Sequence, residues 1–268
     1  MAQIALAFLA GMLIGSFLNV CVYRLPRDLS VARPRSFCPE CEKTIAWYDN
    51  LPIASYFILR AKCRHCGARI PLRYALVELA TALAFAVCAW QFGLSLSAVK
   101  YAVFAAILIT LIASDFEERI LPDEFTLGGL AVGLVLAAFV PMEVIWAHLV
   151  LPMSTPARWF SLAESAIGAG VSSGLIWGVG WLFEKIRHRE GLGLGDVKML
   201  AMIGAFLGLQ WGLLTLMLAS LLGSVGGLVY VYVARKDMST YELPFGSFLG
   251  VAAMMLAPFA WMYLKHAG

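Results

Sequence analysis

Uncharged apolar stretches alternate with short clusters of charge along this chain. Most of the stretches approach the roughly 20 apolar residues that a helix needs to cross a bilayer. Seven lack Asp, Glu, Lys and Arg altogether: residues 1–23, Leu79–Val99, Tyr101–Ser114, Phe125–Met142, Ser165–Phe183, Met199–Ala234 and Leu243–Leu264. Met199–Ala234 is too long for one span and slightly short for two, and Gln210-Trp211-Gly212 gives it a polar, glycine-containing break. It reads as a short helix followed by a full one, so the pattern predicts an all-α polytopic membrane protein with about eight transmembrane helices. Pro141–Ser161, which contains Pro152 and Pro156, reads as the end of the fourth helix followed by an outer loop.

Composition supports this reading. Of 268 residues, 61% are hydrophobic and 14% charged, against about 45–50% and about 25% in an ordinary soluble domain. Together with a mean hydropathy of +0.82, these values exclude a disordered chain and argue against a soluble enzyme. A net charge of +3 is too small to argue for a nucleic-acid partner, so the useful electrostatics lie in where the charges sit. The first stretch lacks the basic start of a secretory signal and exceeds its usual apolar core, which favours a retained helix. If that helix runs from outside to inside, segments 24–73, 115–124, 184–198 and 235–242 face the cytosol and hold 17 of the 20 Lys and Arg. Lys100, Arg158 and Lys265 remain outside, and the positive-inside rule sets this orientation, with both chain ends outward.

The segment 24–73 is the sizeable water-facing region, and about 50 residues bury little core without a staple. Cys38-Pro-Glu-Cys41 and Cys63-Arg-His-Cys66 form two C-x-x-C knuckles separated by 21 residues. Each knuckle can present two thiolates to one tetrahedral ion, so Cys38, Cys41, Cys63 and Cys66 predict a structural Zn2+ in a small zinc-ribbon-like cytosolic domain. The rival reading, two disulfides, suits a reducing cytosol poorly. His65 is a bystander in this scheme, though it could replace a thiolate. Cys21 and Cys88 read as small buried side chains. Ten basic residues against four acidic ones in this loop fit either a nucleic-acid ribbon or attraction to anionic inner-leaflet lipids. The lipid bilayer is the preferred partner, and no nucleic acid is expected.

Charged groups within or bordering apolar helices are costly, so Glu78, Asp115 and Asp196 each require a reason. Asp115 ends an inward-running helix and Asp196 begins an outward-running one, which places both at the cytosolic boundary on different helices. Two carboxyls sharing a partly desolvated site repel each other, so one can stay protonated while the other is ionised, as hydrolysis of an amide by an activated water requires. Taken singly, Asp115 is also explained as an interfacial charge beside Glu117, Glu118 and Asp123, and Asp196 as a helix N-cap. The run Gly191-Leu192-Gly193-Leu194-Gly195-Asp196 tips the balance, because Gly193 and Gly195 would let an extended peptide approach beside the carboxylate. A nucleotide loop is excluded, since the run follows Glu184–Glu190 rather than a buried strand. His188 reads as a solvated loop residue.

Several motifs in one order then resemble the type IV prepilin peptidase family, or prepilin leader peptidase/N-methyltransferases. They are Gly15-Ser16-Phe17-Leu18-Asn19-Val20 with Tyr23-Arg24-Leu25-Pro26, both cysteine pairs, Trp47-Tyr48-Asp49-Asn50-Leu51-Pro52, and Arg73-Tyr74 leading to Leu76-Val77-Glu78-Leu79. Asp115 with Leu121-Pro122-Asp123, Gly193-Leu194-Gly195-Asp196-Val197-Lys198 and Leu243-Pro244-Phe245-Gly246 complete the set. The resemblance implies an intramembrane aspartic endopeptidase with Asp115 and Asp196 as its catalytic pair. It would cut the short basic leader of type IV prepilins or pseudopilins after a glycine at the cytosolic face of the bacterial inner membrane. It also implies N-methylation of the new terminal residue, commonly Phe, with S-adenosylmethionine, an activity associated with the cysteine loop. No residue pattern independently specifies the methyl-donor site. Glu117 departs from a frequent Asp, Pro141–Ser161 looks lengthened, and Asp123 is not assigned a catalytic role.

The expected organisation is a first transmembrane helix at 1–23, the cytosolic zinc domain at 24–73 and a seven-helix peptidase domain at 74–268. Two other functions fit intramembrane acids or a zinc loop: a proton- or ion-coupled transporter, and a noncatalytic assembly scaffold. A transporter usually holds such acids near the midplane of two similar halves, unlike the boundary placement here.

Overall fold

The computed structural model describes residues 1–188, 193–234 and 243–267. Gly191 of the glycine run, the basic residues Arg189, Arg235 and Lys236, and the side chain of Lys265 lie outside that description. Every apolar stretch is helical: α1 (Ala2–Arg24), α3 (Leu72–Phe92), α4 (Leu96–Glu118), α5 (Asp123–Ala137), α6 (Ala157–Arg187), α7 (Leu194–Leu207), α8 (Leu209–Ala234) and α9 (Phe245–Ala267), with a short α2 (Ala54–Ile58) in the cysteine loop. Among the described residues there is no strand, only the isolated bridges Phe37–Thr44 and Lys62–Arg69.

Several helix ends fall at backbone breakers rather than at charges. Pro71, Pro122 and Pro156 stand immediately before α3, α5 and α6, because proline fixes φ and has no N–H to lose at a helix start. α3 begins ahead of Glu78 and stops at Gly93, so Arg73 and Glu78 lie inside it. Lys100 lies inside α4 with no exposed surface, and Arg158 and Glu164 lie inside α6. The break between α7 and α8 is Gly208, whose φ of +87° suits a residue without Cβ. Gln210-Trp211-Gly212, the expected break, instead forms part of the first turn of α8.

Among the described residues five helices are long and apolar enough to cross a membrane, namely α1, α3, α4, α6 and α8, which makes this a multi-pass membrane protein. The apolar Phe245–Trp261 part of α9 is shorter. α5 and α7 have 15 and 14 residues. At 1.5 Å per residue they rise only about 21–23 Å, less than the roughly 30 Å hydrocarbon core.

The chain divides into two compact units, Met1–Ser114 and Asp115–Gly268. In the first, α1 lies directly on α3. A Cβ on Gly11 would meet the Ala82 Cα at 2.7 Å, and one on Gly15 would meet the Glu78 Cα at 2.7 Å. Gly11-x-x-x-Gly15 is thus the small-residue seam that lets two membrane helices touch backbone to backbone. The cysteine loop is tied to this pair at both ends. The buried Arg24 guanidinium donates to the carbonyls of Ser30 and Pro34 at 2.9 and 2.8 Å. At the other end, the Ile53 N–H donates to Glu78 Oε2 at 2.6 Å, and Ser16 also hydrogen-bonds that carboxyl. Glu78 is therefore the loop's anchor, and holding the loop is the reason for a charge at that depth.

In the second unit α7 is buried from Met199 to Leu207 and packs against α5, α6, α8 and α9. A helix apolar on every side belongs at the centre of its bundle. A Cβ on Gly168 of α6 would lie 2.5 Å from the Gly204 carbonyl oxygen of α7. Nearby, the Ser165 hydroxyl donates to the Ala205 carbonyl at 2.6 Å. The loop before α6 is held by Glu164, only 2% exposed. Its Oε2 accepts the N–H groups of Ile145, Trp146 and Ala147 at 3.1, 2.9 and 2.9 Å. The irregular 141–156 stretch is thus an ordered cap wound on one carboxylate.

Replacing Gly168 with Ala must push α6 and α7 apart, a cost of about 1–3 kcal/mol. Gly170→Ala, on the same helix with nothing within 4 Å of the added carbon, should be silent. Melting temperatures of the purified protein in detergent check this. Equal melting of the two variants would contradict the close α6–α7 approach.

Candidate active site and cysteine centre

Three chain segments converge around Asp115 in the second unit. The first is the last turn of α4 and the turn that follows it through Leu121-Pro122 into α5. The second is the start of α7, and the third the start of α9. Leu121 joins them. A Cβ on Gly195 would meet the Leu121 Cβ at 3.2 Å, and one on Gly246 would meet Leu121 Cδ1 at 2.9 Å and Asp115 Cγ at 3.2 Å. The space that glycine leaves at 195 and 246 is therefore filled by Leu121, which draws the starts of α7 and α9 onto the end of α4. At Gly193 the space is open except for the Asp196 Oδ2, at 3.6 Å from an added Cβ.

Asp115 is 6% exposed. Its Oδ2 accepts the Ser247 N–H at 2.6 Å and the Ser247 hydroxyl at 2.8 Å. Asp196 lies in the first turn of α7, where the N-cap is Gly193 and makes no side-chain cap bond, so Asp196 does not serve as the cap. It is close enough to Asp115 for the two charges to interact. The other acids of the cluster are arranged differently. Glu117 and Asp123 are exposed, and Asp123 accepts Lys198 Nζ on both oxygens at 2.7 and 2.8 Å. That ion pair links the start of α5 to α7 two residues beyond Asp196. His188 is exposed at the end of α6.

Two participants carry no sequence signal of their own. Ser247 follows the Leu243-Pro244-Phe245-Gly246 motif, and its role shows only once α9 is seen to start beside Asp115. Leu121 reads from sequence as one apolar residue among many. The Gly168 and Gly204 contact likewise needs the fold, as does the Gly11-x-x-x-Gly15 seam.

In the first unit the sulfur atoms of Cys38, Cys41, Cys63 and Cys66 all lie within 4.8 Å of one another and could hold a metal ion. The Cys38 and Cys66 sulfurs are 3.8 Å apart, the separation of about 3.8 Å that follows from four sulfurs each about 2.3 Å from a tetrahedral ion. The two knuckles have one backbone design. Cys38 N–H donates to the Lys43 carbonyl and Cys63 N–H to the Ala68 carbonyl, while Glu42 and Gly67 return to the carbonyls of Cys38 and Cys63. Glu42 and Gly67, each just after the second cysteine, have φ of 56° and 73°. N–H groups of Cys66 and His65 pull the Cys63 thiol down to about 7, toward the thiolate a metal requires. Arg64 pairs with Asp49 at 2.6 Å and holds its carboxyl below the usual range.

Two family models match the chain: the bacterial peptidase A24 N-terminal domain over residues 9–92 and the type IV leader peptidase family over residues 102–228. A prepilin leader peptidase/N-methyltransferase of Pseudomonas putida is 36% identical, over 93% of this chain and 88% of its own length. One from Myxococcus xanthus is 39% identical over 85% of this chain and 63% of its own. A type 4 prepilin-like proteins leader peptide-processing enzyme of Escherichia coli is 33% identical over 95% and 94%. No solved structure gives a significant match. With both halves of the sequence matched and relatives aligned along most of their length, the chain belongs to the type IV leader peptidase family.

Proposed function

We propose that this protein is a prepilin leader peptidase whose reacting groups are Asp115 and Asp196, and that it also N-methylates its product. The observation that carries the peptidase reading is the convergence on Asp115. A buried carboxyl is held by two donors from Ser247, with Asp196 near enough to feel its charge. Such a pair exchanges one proton between its members, so one can activate water while the other polarises the scissile carbonyl. The open face at Gly193 beside Asp196 is where an extended leader peptide would lie. The relatives' names support the substrate class, type IV prepilins or pseudopilins, cut after a glycine.

The cytosolic face of the bacterial inner membrane is the proposed site of cleavage. Asp115 lies in the last turn of α4 and Asp196 in the first turn of α7, which supports a common boundary for the two acids. The ten Lys and Arg residues concentrated in 24–73 support the cytosolic side. We read α1 and α3 to α9 as crossing segments, α5 and α7 being short ones sheltered by their neighbours, with both chain ends outside. The division into a first helix, a cytosolic loop at 24–73 and a peptidase domain from 74 onward stands as part of this reading.

For the cysteine centre we propose structural Zn2+, supported by four sulfurs at tetrahedral spacing and by a loop whose other anchors are a few polar contacts. S-adenosylmethionine is the proposed methyl donor, consumed as a second substrate, and the relatives' names support it.

Asp115→Asn and Asp196→Asn should each lower leader cleavage by at least about a thousandfold while leaving membrane insertion intact. Mass spectrometry of a prepilin incubated with the purified enzyme reads this, and full activity in both variants would remove the dyad. Cys38→Ser or Cys63→Ser should lower the bound zinc, measured by elemental analysis, and reduce methylation more than cleavage. Equal loss of both reactions would mean that the loop supports the whole enzyme.

A further inference from the structure

Asp115 occupies an electrostatically awkward place. It sits in the last turn of α4, where unpaired carbonyls give the helix its negative end and disfavour a carboxylate. Its burial removes the water that would otherwise compensate. The compensation comes from α9, whose first turn presents the Ser247 N–H at 2.6 Å and the Ser247 hydroxyl at 2.8 Å to the same oxygen, Oδ2. Both donors favour the ionised form, since a protonated Oδ2 would have a hydrogen competing with them. Among the described residues no comparable pair of donors serves Asp196.

We infer that Ser247 is a positioning residue that makes the pair asymmetric, holding Asp115 as the ionised base and leaving the shared proton on Asp196. This rests on the dyad proposed above and assigns its roles. Asp115 takes a proton from water as the oxygen bonds to the scissile carbonyl carbon, and the Asp196 proton passes to the carbonyl oxygen, giving a neutral gem-diol. Asp115 then returns its proton to the amide nitrogen while Asp196 recovers one from a gem-diol hydroxyl. The C–N bond breaks, and both carboxyls are back in their starting states. The hydroxyl never bonds to substrate. Its effect runs through the charge and rotamer of Asp115.

Among the described residues the charged groups that act on Asp115 are few. Arg119 acts on it from the end of α4, and Asp196 faces it from α7. Lys198, further along α7, is engaged by Asp123 of α5. The segment Phe245–Trp261 of α9 has no charged residue. Ser247 is therefore the neutral contact whose removal changes Asp115 without deleting a neighbouring charge.

The test is the pH profile of leader cleavage by the full-length enzyme in lipid nanodiscs, for wild type, S247A, S247T and S247C. Losing the hydroxyl donor destabilises the Asp115 carboxylate, so Asp115 ionises at higher pH. The acidic limb of kcat in S247A should move up by about one pH unit, with little change in KM. S247T keeps a hydroxyl and should restore the wild-type limb. S247C, with a weaker donor, should lie between, and it reads the same contact if the alanine variant folds poorly. An unshifted acidic limb in S247A and S247C, or a threonine variant that behaves like alanine, overturns the assignment. Those results would leave the dyad itself standing, because the dyad fails only if Asp115→Asn and Asp196→Asn both remain active.

Discussion

A carboxylate surrounded by apolar helices must find hydrogen-bond donors, and this chain meets that demand in one way three times. Glu78 takes the N–H of Ile53, Asp115 the N–H of Ser247, and Glu164 the N–H groups of Ile145, Trp146 and Ala147. In each case the donor is main chain from a non-helical segment or a helix start, where backbone N–H groups lack the regular intrahelical bond. Burying the acid and ending the distant segment solve each other's problem. Removing either partner would leave an unsatisfied polar group, a penalty of about 1–3 kcal/mol and more for a charge. The three acids therefore act as the ties that give loops and helix starts a fixed place on the bundle.

Such ties need rigid posts. α1 and α3 touch through Gly11 and Gly15, and α6 and α7 through Gly168 and Gly204, each at backbone contact distance. Without Cβ atoms the helices cannot slide or rotate far before main-chain atoms collide, and dispersion contacts are densest where backbones approach. Leu121 extends this logic to the site. It fills the hollows at Gly195 and Gly246 at once, so the carboxyl of Asp115 and the first turn of α7 are held by packing rather than by a bond between them. For the dyad proposed above, that arrangement would leave the two acids able to exchange a proton and admit a water, which a direct permanent hydrogen bond would oppose.

The cysteine loop solves a different problem with similar means. Too short to bury a core, it is held by Arg24 at its beginning, Glu78 toward its end and the four sulfurs between. Its internal polar contact, Arg64 with Asp49, is largely exposed on the arginine side and adds little. A metal ion on the four sulfurs would tie the middle of the loop, while the anchors to α1 and α3 carry its attachment.

Much of this was legible in the chain. Charge-free stretches located helices, five of which among the described residues are long enough to span, the two knuckles announced four clustered sulfurs, and Asp115 and Asp196 stood out as acids bordering apolar helices. Misplaced helix ends trace to one assumption, that a charge marks a boundary. Glu78 and Glu164 lie well inside their helices because a distant loop satisfies them, and Lys100 is buried within α4. The true ends were written in Pro71, Gly93, Pro122, Pro156 and Gly208. Ser247 was unreadable because its partner is 132 residues away, and no local pattern records which helix start will face which acid. The physical rule can be turned round. In a bundle of this kind, an acid inside an apolar run is less a boundary marker than the address of a backbone segment elsewhere in the chain, and the segment it holds is where function should be sought.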